Sequence, residues 1–115
     1  MSAKRATPDR LLAKYPFKAQ RVLQDLGHAI DVARRRRRIP VALAAERTWM
    51  SRTTWNKITR GDPSVAMGSY MAALQQVGLL GLIEELADPA ADAAGLALAE
   101  EQLPKRVRRP RSRKD

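Results

Sequence analysis

Helix-ending residues fall at Pro16, Pro40, Gly61-Asp62-Pro63, Gly78, Asp88-Pro89 and Pro104, so no unbroken helix in this chain can exceed about six turns. Between these breaks, apolar residues recur at three and four positions, the period of a helix with one buried face. Leu23, Leu26, Ile30 and Ala33 lie on one side of a helix predicted from about Lys18 to Arg37. Pro40 opens a short helix to about Arg47 carrying Val41, Leu43, Ala44 and Ala45, and Thr48-Trp49-Met50 turns the chain into a third helix. Met67, Tyr70, Met71, Leu74 and Val77 stripe a fourth, Leu79, Leu82, Ile83 and Leu86 a fifth, and Leu96, Ala99 and Leu103 a sixth from Ala93. Aromatics are few, and the apolar content is mostly Ala, Leu, Val, Ile and Met, which favours helix over sheet. The expected fold is all-α, a compact bundle of about five or six short helices. Gly27 inside the first long helix costs about 1 kcal/mol against alanine, so a close helix contact is expected there.

The organisation expected along the chain is an N-terminal extension (1–17), a helical domain (18–79), C-terminal helices for dimer or partner contacts (80–103) and a basic tail (104–115). Thr7-Pro8-Asp9 reads as the start of a short helix with Leu11, Leu12 and Tyr15 on its apolar side, after six disordered residues. The tail, PKRVRRPRSRKD, lacks the apolar content to fold.

The net charge of +10 is segregated: +5 over residues 1–21, +6 over 22–60, −7 over 61–103, where no Lys or Arg occurs, and +6 over 104–115. Basic blocks of this size point to a polyanion, with nucleic acid ahead of an anionic membrane because no strongly amphipathic apolar face accompanies them. The acidic block is expected to face away from that polyanion, toward a protein. The absence of cysteine excludes disulfides and thiolate metal sites. With no signal-type apolar stretch and no run of about 18 apolar residues, a soluble cytoplasmic protein is expected.

The most informative stretch is SRTTWNKITRG, Ser51 to Gly61. At about 100° per residue, Arg52, Thr53, Asn56, Lys57 and Arg60 fall on one arc, and Thr54, Trp55 and Ile58 on the opposite one. Ser51 suits an N-cap and Gly61 the left-handed position after a helix end. The front offers the donors and acceptors that match base edges and phosphates in a major groove. Upstream, Arg34 to Arg38 end the first long helix, and five consecutive arginines cannot all face one way. Some reach solvent, some lie over the core through their stems, and some can reach phosphate. Arg36, Arg37 and Arg38, with Ser51, Thr54 and Arg60, are the candidate phosphate contacts.

With LGHAIDVARRRRRI and ALAAERTWMSRTTWNKITRGDPSVAMGSYMAALQQVGL, the stretch Leu26 to Leu79 resembles the lambda-repressor-like, Xre-family helix-turn-helix transcriptional regulators. The continuation IEELADPAADAAGLALAEEQLPKRVRR is similar to their HipB-like antitoxin branch. The resemblance implies a lambda-repressor-like DNA-binding domain that acts as a homodimer on double-stranded operator DNA, with residues 51–60 as the recognition helix. It places base reading on Arg52, Thr53, Asn56 and Lys57, and implies an autorepressing antitoxin of a type II toxin-antitoxin system with a HipA-like kinase toxin as possible partner. Three positions depart from the family pattern. Trp49 stands where glycine is common in the turn, so either the turn differs or a bulky residue bears the strain of positive φ. Pro40 and Val41 replace a Ser or Thr cap followed by Gln, and Thr59 replaces an acid.

An enzyme is not expected. His28 is the only histidine, Glu84 and Glu85 are adjacent and diverge on a helix, and neither a glycine-rich phosphate loop nor a metal-ligand cluster is present. No cofactor or metal is called for. Two other readings remain open at this point: a protein-binding module whose basic segments neutralise an acidic partner, and an RNA binder using its arginine-rich tail. The first predicts no affinity for duplex DNA, whereas a repressor predicts a dyad-symmetric site.

Overall fold

A computed structural model describes residues 14–102. The expected short helix at 7–15 falls mainly, and the basic tail at 104–115 entirely, outside these residues. The described residues are helical, without strands: α1 (Phe17–Arg36), α2 (Val41–Arg47), α3 (Arg52–Thr59), α4 (Met67–Gln76), α5 (Leu80–Leu86), a 3-10 turn (Pro89–Ala91) and α6 (Ala93–Gln102). The chain divides into two compact units after Gly81.

In the first unit α3 is the hub, packing against α1, α2 and α4, while α2 also meets α4. The reason lies in its back face: Trp55 and Ile58 are fully buried, together with Ile30 and Ala33 of α1, Ala44 and Ala45 of α2, and Tyr70, Ala73 and Leu74 of α4. Small residues at 33, 44, 45 and 73 leave room for the large indole of Trp55. Gly27 explains how closely α1 approaches. A Cβ there would lie 2.4 Å from the Ile58 carbonyl oxygen and 2.7 Å from the Gly61 nitrogen, both rigid backbone. Among the described residues the buried Trp55 indole N–H has no acceptor. Met67, expected on the buried stripe of α4, is instead 74% exposed, at the edge of an open groove between α1 and α4.

The link from α3 to α4 is held by polar bonds. Asp62 is buried, its Oδ1 accepts from the Ser64 N–H (2.8 Å) and Ser64 hydroxyl (2.7 Å), and its carbonyl accepts from the Tyr70 hydroxyl at 2.7 Å. Burial, and secondarily the Asp62 charge, push Tyr70 above its ordinary pKa of 10.0. The folded chain therefore holds this proton more tightly than the unfolded chain. The contribution to stability is complete below about pH 10 and is lost as pH rises above it, by about 1.4 kcal/mol per pH unit. Alkaline denaturation of Tyr70→Phe should lack this component; equal slopes for both proteins between pH 10 and 11 would refute it.

The second unit has its own local stops. Asp88 accepts from the Ala90 N–H and Asp92 from the Gly95 N–H, both at 2.9 Å, which starts the 3-10 turn and α6. No residue of α5, the 3-10 turn or α6 is buried. Leu82, Leu86, Leu96 and Leu98 are exposed in a segment that carries six acids and no base.

Candidate nucleic-acid interface

The N-terminus of α3 is fixed by Ser51, whose hydroxyl oxygen accepts from the Thr54 N–H at 3.0 Å and whose hydroxyl faces Thr54 Oγ1 at 3.2 Å. Both candidate phosphate contacts at this end are thus already bound to each other, Ser51 exposed and Thr54 half-buried. With Trp55 and Ile58 sealed in the core, the opposite arc stands outward: Arg52, Thr53, Asn56 and Arg60 are exposed and Lys57 is half-buried. Among the described residues none of these five side chains makes a hydrogen bond or ion pair within the chain. Thr59 turns back to donate to the Asn56 carbonyl at 2.9 Å.

The five arginines diverge, as their succession requires. Arg34 folds inward, donating to the Ile39 carbonyl at 2.7 Å and pairing with Asp31 at 3.0 Å. Arg35 pairs with the other oxygen of Asp31 at 3.0 Å, on the surface. Arg37 donates to the Ala33 carbonyl at 3.0 Å and lies against Gly78, where a Cβ would be 3.3 Å from its Nη2. Arg36 and Arg38 are exposed and make no such bond among the described residues. Of the three candidate phosphate contacts in the run, Arg36 and Arg38 present free guanidinium groups, and Arg37 has one nitrogen engaged by its own helix.

Four helices in succession end in the same reversal, in which one residue takes positive φ and two N–H groups bond backward. After α1, Arg38 bonds Arg35 and Ile39 bonds Arg34; after α2, Trp49 bonds Glu46 and Met50 bonds Ala45. After α3, Gly61 bonds Ile58 and Asp62 bonds Lys57; after α4, Gly78 bonds Gln75 and Leu79 bonds Leu74. Gly61 (φ 72°) and Gly78 (φ 81°) take the conformation freely, but Arg38 (φ 55°) and Trp49 (φ 59°) are held in it at a cost of about 1 kcal/mol each. At Trp49, therefore, the reversal is kept and the side chain bears the strain.

Sequence reading missed Asp62, taken there only as a breaker, the inward turn of Arg34, and the left-handed Arg38. The pairing of Asp62 with Ser64 had a local signal, an Asx turn at two-residue spacing. An apolar groove of about 330 Å³ lies between α1 and α4, lined by Tyr15, Ala19, Leu23, Leu26, Met67 and Met71 among others, and none of the α3 front residues lines it. Among the described residues there is no cluster of three His, Asp or Glu that could hold a metal, and no helix long and apolar enough to cross a membrane.

No family model, curated protein or solved structure matches the chain.

Proposed function

We propose that the chain is a sequence-specific DNA-binding transcriptional regulator in which α2 and α3 act as a helix-turn-helix and α3 is the recognition helix. One observation carries this reading: α3 buries Trp55 and Ile58 on one side and on the other presents Arg52, Thr53 and Asn56 without internal partners. Arg suits guanine, Asn suits adenine, and Thr can touch a thymine methyl; Lys57 at the edge of this front adds a further donor. Arg36, Arg38 and Arg60 supply exposed cations for flanking phosphates. The chemistry is recognition without a covalent step.

The resemblance to Xre-type regulators supports a homodimer on a dyad-symmetric operator, with two copies of α3 in successive major grooves about 34 Å apart. Its HipB-like continuation supports the narrower reading of a cytoplasmic, autorepressing antitoxin. In that reading the acidic helical segment 80–102, with exposed Leu82, Leu86, Leu96 and Leu98, meets a second copy or a HipA-like kinase toxin.

Selection from random duplexes, followed by binding titration, tests the proposal. Arg52→Ala should weaken the selected duplex by about 1 to 3 kcal/mol and relax preference at one base position, with far less effect on random DNA. Equal losses on selected and random duplex would make Arg52 a phosphate contact, and failure to enrich any sequence would end the specific reading.

A further inference from the structure

Trp49 combines two properties that rarely coexist. Its backbone is held at φ 59°, a conformation that glycine takes without strain, and its indole is 95% exposed, so no packing within the described chain offsets the strain. Gly61 and Gly78 fill the corresponding positions after α3 and α4, and the exposed Arg38 the one after α1, so Trp49 is the one large apolar side chain among the four. The indole is thus free to meet a partner outside the chain.

Its surroundings indicate what that is. Residues 31–62 carry nine Lys and Arg against three acids, Asp31, Glu46 and Asp62, so the exposed ring belongs to a strongly basic segment. Two residues later Ser51 caps α3, and chain geometry keeps the Trp49 and Ser51 Cα atoms within about 7 Å. Trp49 thus stands beside the end of α3 whose first residues, Arg52 and Thr53, are exposed, the end that a recognition helix leads into a groove. Indole has a broad apolar face and one N–H donor but no acceptor, which fits a deoxyribose and its phosphate better than a base edge.

We propose that Trp49 is a backbone contact for duplex DNA, its ring lying on a deoxyribose and its N–H donating to the adjoining phosphate at the mouth of the groove that α3 enters. The contact rests on the DNA-binding reading above and extends it to a residue outside the helix front. It adds affinity without sequence preference.

The test compares wild type with Trp49→Gly and Trp49→Asn, both of which accept positive φ. Each variant should melt at or above the wild-type temperature, yet bind the selected duplex and a random duplex about tenfold more weakly, leaving their ratio unchanged. A solely structural role would not raise stability while lowering affinity. In the wild type, acrylamide quenching of tryptophan emission should fall when duplex is added, since Trp55 is buried and Trp49 alone is accessible. Affinity retained by both variants would overturn this contact alone and turn Trp49 toward a protein partner. A loss confined to the selected duplex would overturn the backbone assignment. Wild-type protein that bound no duplex would overturn the DNA-binding reading and this contact with it.

Discussion

Trp55→Ala is expected to remove about 3 to 5 kcal/mol of stability, a large share of what holds the first unit folded. A unit of this size has about 3 to 10 kcal/mol in total. Trp55 is fully buried on the helix that packs against all three others of the first unit, and the small core residues Ala33, Ala44, Ala45 and Ala73 have no side-chain reach to close the cavity. Trp55→Phe should cost much less. It keeps an aromatic ring and also removes an indole N–H that is buried without an acceptor among the described residues, a group whose desolvation costs about 1 to 3 kcal/mol. Urea denaturation followed by circular dichroism separates the outcomes. A loss below about 1 kcal/mol for Trp55→Ala would mean that the core does not depend on this ring. On the proposed reading, DNA binding by the alanine variant should fall with the folded fraction, because α3 has no other seat.

Gly27→Val is the second large effect, expected at about 3 kcal/mol or more. Helix propensity by itself makes the opposite prediction, since glycine in a helix interior is the costlier residue. Packing outweighs propensity here because the atoms that a side chain would meet are the Ile58 carbonyl, the Thr59 carbonyl carbon and the Gly61 nitrogen, all within 2.9 Å of an added Cβ. To admit the branched side chain, α1 and α3 must separate. Gly68→Ala is the control: nothing lies within 4 Å of an added Cβ, so it should leave stability unchanged or raise it by up to about 1 kcal/mol. Melting temperatures that moved the same way in both variants would sink the argument. For a unit this small, 1 kcal/mol corresponds to about 4 to 8 °C. Where Gly27→Val remains folded, the proposed function requires its affinity for duplex to fall as well, since this contact seats α3.

The sequence by itself determined what depends on neighbours a few residues apart. The bounds of α3 follow from the Ser51 cap bonding Thr54 and from Gly61 at positive φ, both local. The spacing of 52, 53 and 56 against 55 and 58 separates an outward from an inward face, and the structure exposes the first set and buries the second. Gly27 was legible as the mark of a close approach, but not its partner, because Ile58 and Gly61 are more than thirty residues away. The same limit applies to the divided roles of the arginine run. Arg34 is drawn inward by Asp31 and the Ile39 carbonyl, while Arg36 and Arg38 stay outside, and which guanidinium finds a partner depends on how the chain turns after α1. A composition rule sees five equal cations. Tyr70 reads as one more apolar position on α4 until folding brings its hydroxyl to the Asp62 carbonyl. At Arg38 and Trp49 local preference points away from the observed backbone. The reversals after α1 and α2 are set by bonds from Ile39 to Arg34 and from Met50 to Ala45, and by the seating of α2 against α3, so the whole fold imposes a conformation that the residue alone would avoid. Amphipathic spacing likewise gives α5 an apolar stripe, but only the folded chain leaves Leu82 and Leu86 in solvent. Periodicity fixes which side of a helix is apolar; what covers that side is decided by surfaces far away in sequence or outside the chain.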